Sequence, residues 1–233
     1  MKALLYKEFK LAMHPICYLF IILFPFMILI PSYPIAIGFV YLISCYPILF
    51  LGANKGQQSN DLLFSTLLPV RKKDIVLARI FTVIIMQVAY MLIMSALVPL
   101  AFMIQNNIEI SSAAEGVTGP TIPGIPLTGF VSILGIAIVG FAIADLIFFP
   151  IYYKHGKSIV LSTLMTILGF LVYLGIFTIA LSYIPGCEWY IKFLANSGLG
   201  WQFLVLGVAI VISFLLHFLT YKISAKRLEK VDF

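Results

Sequence analysis

Six long apolar runs divide this chain, at roughly 16–33, 34–53, 75–104, 125–152, 158–183 and 199–221. A helix needs about 20 apolar residues to cross the ~30 Å hydrocarbon core of a bilayer. Lipid offers the backbone no hydrogen bonds, so a run of this kind must satisfy its own N–H and C=O groups as a helix. The charges between the runs fix their order. In alternate gaps, or within the first turns of the run beside them, lie Lys2, Lys7 and Lys10; Lys55, Arg71, Lys72, Lys73 and Arg79; Lys154 and Lys157; and Lys222, Lys226, Arg227 and Lys230. These are fourteen of the fifteen Lys and Arg residues, and Lys192 alone falls on the other side. Short basic loops stay in the cytoplasm. The expectation is an all-α, polytopic membrane protein: one transmembrane domain over 1–233, six transmembrane helices, both termini cytoplasmic.

A hydrophobic content of 62% and a mean hydropathy of +1.11 exceed the ~45–50% apolar usage of soluble domains. The net charge of +6 sits at the ends of the apolar runs, where it meets anionic lipid, so no nucleic-acid partner is expected. The basic, apolar start is not read as a cleaved signal peptide, because no small-x-small site follows and five further runs do. Cys17, Cys45 and Cys187 form no C-x-x-C or Cys/His cluster, which leaves neither a disulfide framework nor a metal site.

Residues 1–14 read as an amphipathic helix lying in the membrane interface. Leu5, Phe9 and Met13 fall on one face and Lys7, Lys10 and His14 on another. Pro15 interrupts its continuation, Pro31 and Pro34 close a hairpin between the first two spans, and Pro25 and Pro47 kink their helices. The inside gap at 53–74 is the longest on that side and is not uniformly polar. Asn60 or Asp61 caps a short helix through Leu62, Leu63, Phe64, Leu67 and Leu68, and Pro69 stops it. Asp74 caps the third span. Residues 105–124 read as an outside loop, and 153–157 as a tight inside turn.

Two motif look-alikes fail on spacing. Gly156-Lys157-Ser158 lacks the glycine a phosphate loop needs five residues earlier, where Ile151 stands. Asn60-Asp61 lacks the second carboxylate that would hold Mg²⁺. The chain is therefore expected to carry no nucleotide site and no cofactor. Inside the spans the notable polar residues are Gln87, Asp145 and His217. No other acid continues a relay from Asp145, so it reads as a structural polar contact with a basic partner or the inner surface. Ion-coupled carriers need intramembrane acids or bases, and this interior is mainly Phe, Leu, Ile and Met. The energy for any transport is expected to enter from outside the chain.

The interfacial start, the tight first pair of spans, the segment NDLLFSTLLPVRKKDIVLARI and the later PIYYKHGKS together resemble the permease subunits of ABC-2-type exporters. Nearest in character are the bacterial phenol-soluble-modulin and antimicrobial-peptide exporter permeases. The resemblance covers essentially the whole chain, and 60–79 is its most specific part. It implies a half-transporter in a bacterial plasma membrane. Two permeases, identical or different, would pair, each with a cytoplasmic ATPase that binds the ATP and Mg²⁺, and the cargo would be an amphipathic peptide or related hydrophobic compound. It further implies that Asn60, Asp61, Leu62, Leu63, Phe64, Leu67, Leu68 and Arg71 form the coupling contact with the ATPase, and that Tyr153, Lys154, His155 and Lys157 form a smaller second contact. An exposed apolar cluster on an otherwise polar loop fits a partner surface. The rival readings are an ion-coupled carrier or channel and a membrane-embedded lipid-modifying enzyme.

Overall fold

The computed structural model describes residues 2–12, 15–29, 70–114, 130–155, 159–183 and 198–230. The expected second span at 34–53, the contact residues at 60–68 and Lys157 lie outside them. Everything described is helical apart from residues at the helix ends.

The chain begins with α1 (Lys2–Lys7), which passes into a π-helical turn at Glu8–Ala12. Helix α2 (Pro15–Leu23) starts on its proline, the position where a missing N–H costs nothing. At Phe24–Leu29 it tightens into a 3₁₀ turn around Pro25, because proline cannot supply the amide for the fourth-neighbour bond. Helix α3 (Lys72–Ala114) is followed by α4 (Phe130–His155), α5 (Ile159–Tyr183) and α6 (Leu199–Glu229). Within these helices 72–101, 134–154 and 200–229 are each long and apolar enough to cross a membrane, and Val160–Tyr173 is a shorter apolar stretch.

Helix α3 runs ten residues past the expected end of its span, so 105–114 is helix where a loop was expected. No proline or glycine falls between Pro99 and Gly116, and nothing local stops the propagation of the helix.

Helix α4 is the centre of the packing. Half of its apolar window, 50%, is buried by its neighbours, against 17% for α6, whose remaining surface is left for lipid or another chain. Its Phe141, Phe148, Phe149, Tyr152 and Tyr153 pack with Val76, Ile80 and Val83 of α3, Phe170 of α5 and Leu228 of α6. Small residues permit the close approach. A side chain at Gly135 would meet the α6 backbone at Leu206, 3.4 Å away, and one at Gly140 would meet the rings of Phe170 and Tyr173 at 3.2 Å. A second cluster joins Ile21 of α2 to Met86, Tyr90, Met94 and Ala101 of α3.

Four contacts bring α1, the start of α3 and the ends of α4 and α6 to one end of the bundle. Glu8 pairs with Arg79, Arg79 with Tyr152, Lys73 with Glu229, and Arg227 donates to the Pro150 carbonyl. Among the described residues, the basic side chains of α1, the start of α3 and the ends of α4 and α6 thus gather at one end of the bundle.

Candidate functional site

Three apolar helices, α3, α4 and α6, leave a groove of about 460 Å³ between them. Met91 and Leu92 of α3, Leu134 and Phe141 of α4, and Leu206 and Phe214 of α6 supply much of its wall. The polar side chains on it are Gln87, Ser95, Ser213 and His217. The Ser95 hydroxyl donates to the Met91 carbonyl one turn earlier, at 2.8 Å, which lets a hydroxyl sit at membrane depth without an unsatisfied donor.

Behind the groove Asp145 is fully buried. Its Oδ2 accepts from Gln87 Nε2 of α3 at 3.0 Å and lies 2.9 Å from His217 Nε2 of α6. The other imidazole nitrogen fixes the proton count. His217 Nδ1 lies 2.7 Å from the Ser213 carbonyl oxygen, which only accepts, so Nδ1 carries a hydrogen. The 2.9 Å contact to Asp145 then holds one further proton, on nitrogen or on oxygen. Either way the pair has no net charge, which lowers its cost inside lipid.

Ser213, His217 and Asp145 imitate a nucleophile–base–acid set, since the Ser213 hydroxyl is 3.2 Å from His217 Nδ1. The imitation fails on the same count. A general base needs a lone pair towards the serine, and that nitrogen's hydrogen is committed to the carbonyl. The arrangement offers shape and hydrogen bonds rather than bond-breaking chemistry. Among the described residues no group of three His, Cys, Asp or Glu side chains could hold a metal ion.

At the basic end lies a second polar cluster. Arg79 Nε donates to Glu8 Oε2 at 3.0 Å and Nη2 to Oε1 at 3.4 Å. Its Nη1 donates to the Tyr152 hydroxyl at 3.2 Å. Lys7 Nζ adds a contact to Glu8 Oε1 at 3.4 Å. The Arg79 and Glu8 side chains are 4% and 6% exposed, so this is an interior ion pair rather than a surface one. Lys7 is therefore buried, not on the exposed polar face that its spacing with Lys10 predicts. The acid beside it turns inward to Arg79 and takes it along, while Lys2, Tyr6 and Lys10 stay outside.

Of the contact residues expected from sequence, Arg71 is exposed and pairs with Asp74 at 3.1 Å in the first turn of α3. Lys154 is exposed at the end of α4. Tyr153, expected in a turn and at a contact, is instead within helix α4 and only 1% exposed, its ring stacked on Phe149 and edge-on to Tyr152, so it packs inside the end of that helix. His155 ends α4. Gln87 and Asp145 are brought together. Glu8, Arg79 and Tyr152 were not singled out by sequence. The available signal was that Glu8 is the sole acid before Asp61, while Arg79 lies inside an apolar run, where an intramembrane cation calls for a partner.

Residues 3–229 of the chain match the family described as ABC-2 family transporter protein. No curated protein and no solved structure matches it.

Proposed function

The chain belongs to the ABC-2 transporter family, a multi-pass membrane transport subunit rather than an enzyme, and from that premise we propose that it moves amphipathic peptides or related hydrophobic compounds out of a bacterial cell. The observation that carries this reading is the groove among α3, α4 and α6, apolar except at Gln87, Ser95, Ser213 and His217. Such a wall accepts the apolar face of an amphiphile and offers a few hydrogen bonds to orient it. Met91, on that wall, is a side chain that adapts to cargo of varied shape.

In this reading two copies, or this chain and a second permease, face each other, and each rests on a cytoplasmic ATPase that binds ATP and Mg²⁺. The basic end of the bundle faces the cytoplasm. The segment at 60–68, with Arg71 beside it, forms the coupling contact, and the turn carrying Lys154 and Lys157 forms a smaller one. Closure of the ATPases rocks the permeases between inward- and outward-open arrangements.

Co-purification from native membranes tests the assembly: a soluble ATPase with a phosphate loop accompanies the chain, and an amphipathic helical peptide raises its hydrolysis rate. Leu63→Asp or Phe64→Asp releases the ATPase; full retention by both variants removes the coupling role. Hydrolysis indifferent to every amphipathic peptide removes the cargo assignment. One observation favours a second reading, an ion-coupled carrier: the buried Asp145–His217 pair is the sort of intramembrane group such carriers use. Uphill peptide movement driven by a proton gradient in vesicles holding this chain alone would select it.

A further inference from the structure

Arg79 touches three elements with one guanidinium. It belongs to α3, grips Glu8 beyond the end of α1 through Nε and Nη2, and reaches Tyr152 of α4 through Nη1. We propose that Glu8, Arg79 and Tyr152 are positioning residues that carry movement of the interfacial helix and of the end of α4 into the membrane helices. The inference rests on the reading of the chain as an ATP-driven permease.

Three features of the geometry support it. Arginine's planar fork lets one side chain serve a carboxylate and a hydroxyl at once in fixed directions, which lysine cannot do. The far partner is held as well: the Tyr152 ring is stacked on Phe148 at 5.8 Å with planes 10° apart, and it stands two residues before exposed Lys154. Displacement of the end of α4 therefore moves the hydroxyl that Arg79 holds. Finally, α1 has only six helical residues, too few to keep a position by its own helical stability. Its place is set by the link at Glu8 and by neighbouring packing. A second ion pair between helices at this end, Lys73–Glu229, has side chains 53% and 45% exposed, and water and salt weaken it. The interior link is the stiff one.

The experiment uses the full chain in complex with its ATPase, reconstituted in vesicles with a fluorophore-labelled amphipathic helical peptide. Glu8→Gln leaves the buried Arg79 charge without its carboxylate, so it is expected to assemble in reduced amount but, per assembled complex, to hydrolyse ATP at close to the native rate. Peptide moved per ATP should fall by about fivefold or more, the lower range of coupling between sites. Tyr152→Phe lowers the same ratio to a smaller extent, and Glu8→Asp, which keeps the charge, restores most of it. Native ratios in both Glu8→Gln and Tyr152→Phe overturn the proposal, as does a loss of transport that only tracks a loss of assembled complex. A second readout is independent of transport. With Cys17, Cys45 and Cys187 replaced by alanine, spin labels at Tyr6→Cys and Lys154→Cys report one narrow distance in the native background and a broadened one in Glu8→Gln. If the native complex moves no peptide, the functional reading fails alone, and these distances still decide the link; identical distributions overturn it.

Discussion

Asp145 and His217 hold each other from different helices, and the pair is worth most when one member is removed. Asp145→Leu leaves His217 and Gln87 buried without the carboxylate both contact. Breaking a buried pair from one side costs about 3–5 kcal/mol. Hydrogen bonds between membrane helices average only about 0.6 kcal/mol, so Asp145→Asn, which keeps neutral partners for both, should cost no more than ~1–2 kcal/mol. The double change Asp145→Leu with His217→Leu should be more stable than Asp145→Leu alone, because the imidazole is then no longer left buried without its carboxylate. Thermal unfolding of the purified protein in detergent orders the variants; strictly additive losses would show that the pair is not coupled. Ser213→Ala separates the structural role from the catalytic imitation. His217 Nδ1 already donates to the Ser213 carbonyl, so loss of the hydroxyl should shift stability by less than about 1 kcal/mol and should lower transport by no more than the loss of one of the groove's hydrogen bonds. Abolished transport with intact folding would mean the hydroxyl itself acts. Asp145 was legible from the sequence as a buried acid in need of a partner. The identity of the partner was not, since Asp145 and His217 are 72 residues apart and hydropathy carries no information on which helices touch.

Between helices, glycine decides how close α4 comes to its neighbours. A methyl group at Gly135 would lie 3.3 Å from Ala209 Cβ and 3.4 Å from Leu206 Cα. The nearer of these, Ala209 Cβ, is fixed to its backbone and can give way only if α6 shifts. A methyl at Gly175 meets nothing within 4 Å. Gly135→Ala should therefore destabilise the protein by about 1–3 kcal/mol through overpacking, whereas Gly175→Ala should be neutral or stabilising by up to ~1 kcal/mol from helix propensity. Matched thermal midpoints for the two variants would contradict the close α4–α6 approach. The helices as elements were legible, because long apolar runs admit few other conformations in lipid. The runs at 125–152, 158–183 and 199–221 correspond to α4, α5 and α6. What escaped was decided away from the runs. The overshoot of α3 to Ala114 passes through polar residues that hydropathy assigns to a loop. The inward turn of Lys7 depends on Arg79, 71 residues after Glu8.

At the scale of the whole molecule, length and charge together make a prediction about sidedness. Helix α3 has 43 residues, which at 1.5 Å per residue is about 64 Å, roughly twice the ~30 Å hydrocarbon core. It must project from the membrane, tilt strongly, or do both. Its first turn carries Lys72, Lys73 and Asp74, and its last turns carry Gln105, Asn106, Asn107 and Glu109; both ends are too polar for lipid. Tyr6, Lys154 and Lys222 belong to the end where α1, α4 and α6 meet the start of α3. With the native cysteines replaced, Tyr6→Cys, Lys154→Cys and Lys222→Cys should each react with an impermeant maleimide in inside-out vesicles and remain unlabelled in intact cells. Ser112→Cys, near the far end of α3, should show the reverse. The four sites test one statement, because the contacts place three of them together and the rise of a single helix places the fourth across the bilayer. Labelling of Tyr6→Cys and Ser112→Cys from the same side would break it, and with it the assignment of the basic end to the cytoplasm. Labelling of the three basic-end sites from outside would keep the arrangement of helices and invert the molecule. The ATPase would then have no surface to grip at Lys154, and an exporter powered from within the cell would no longer be possible.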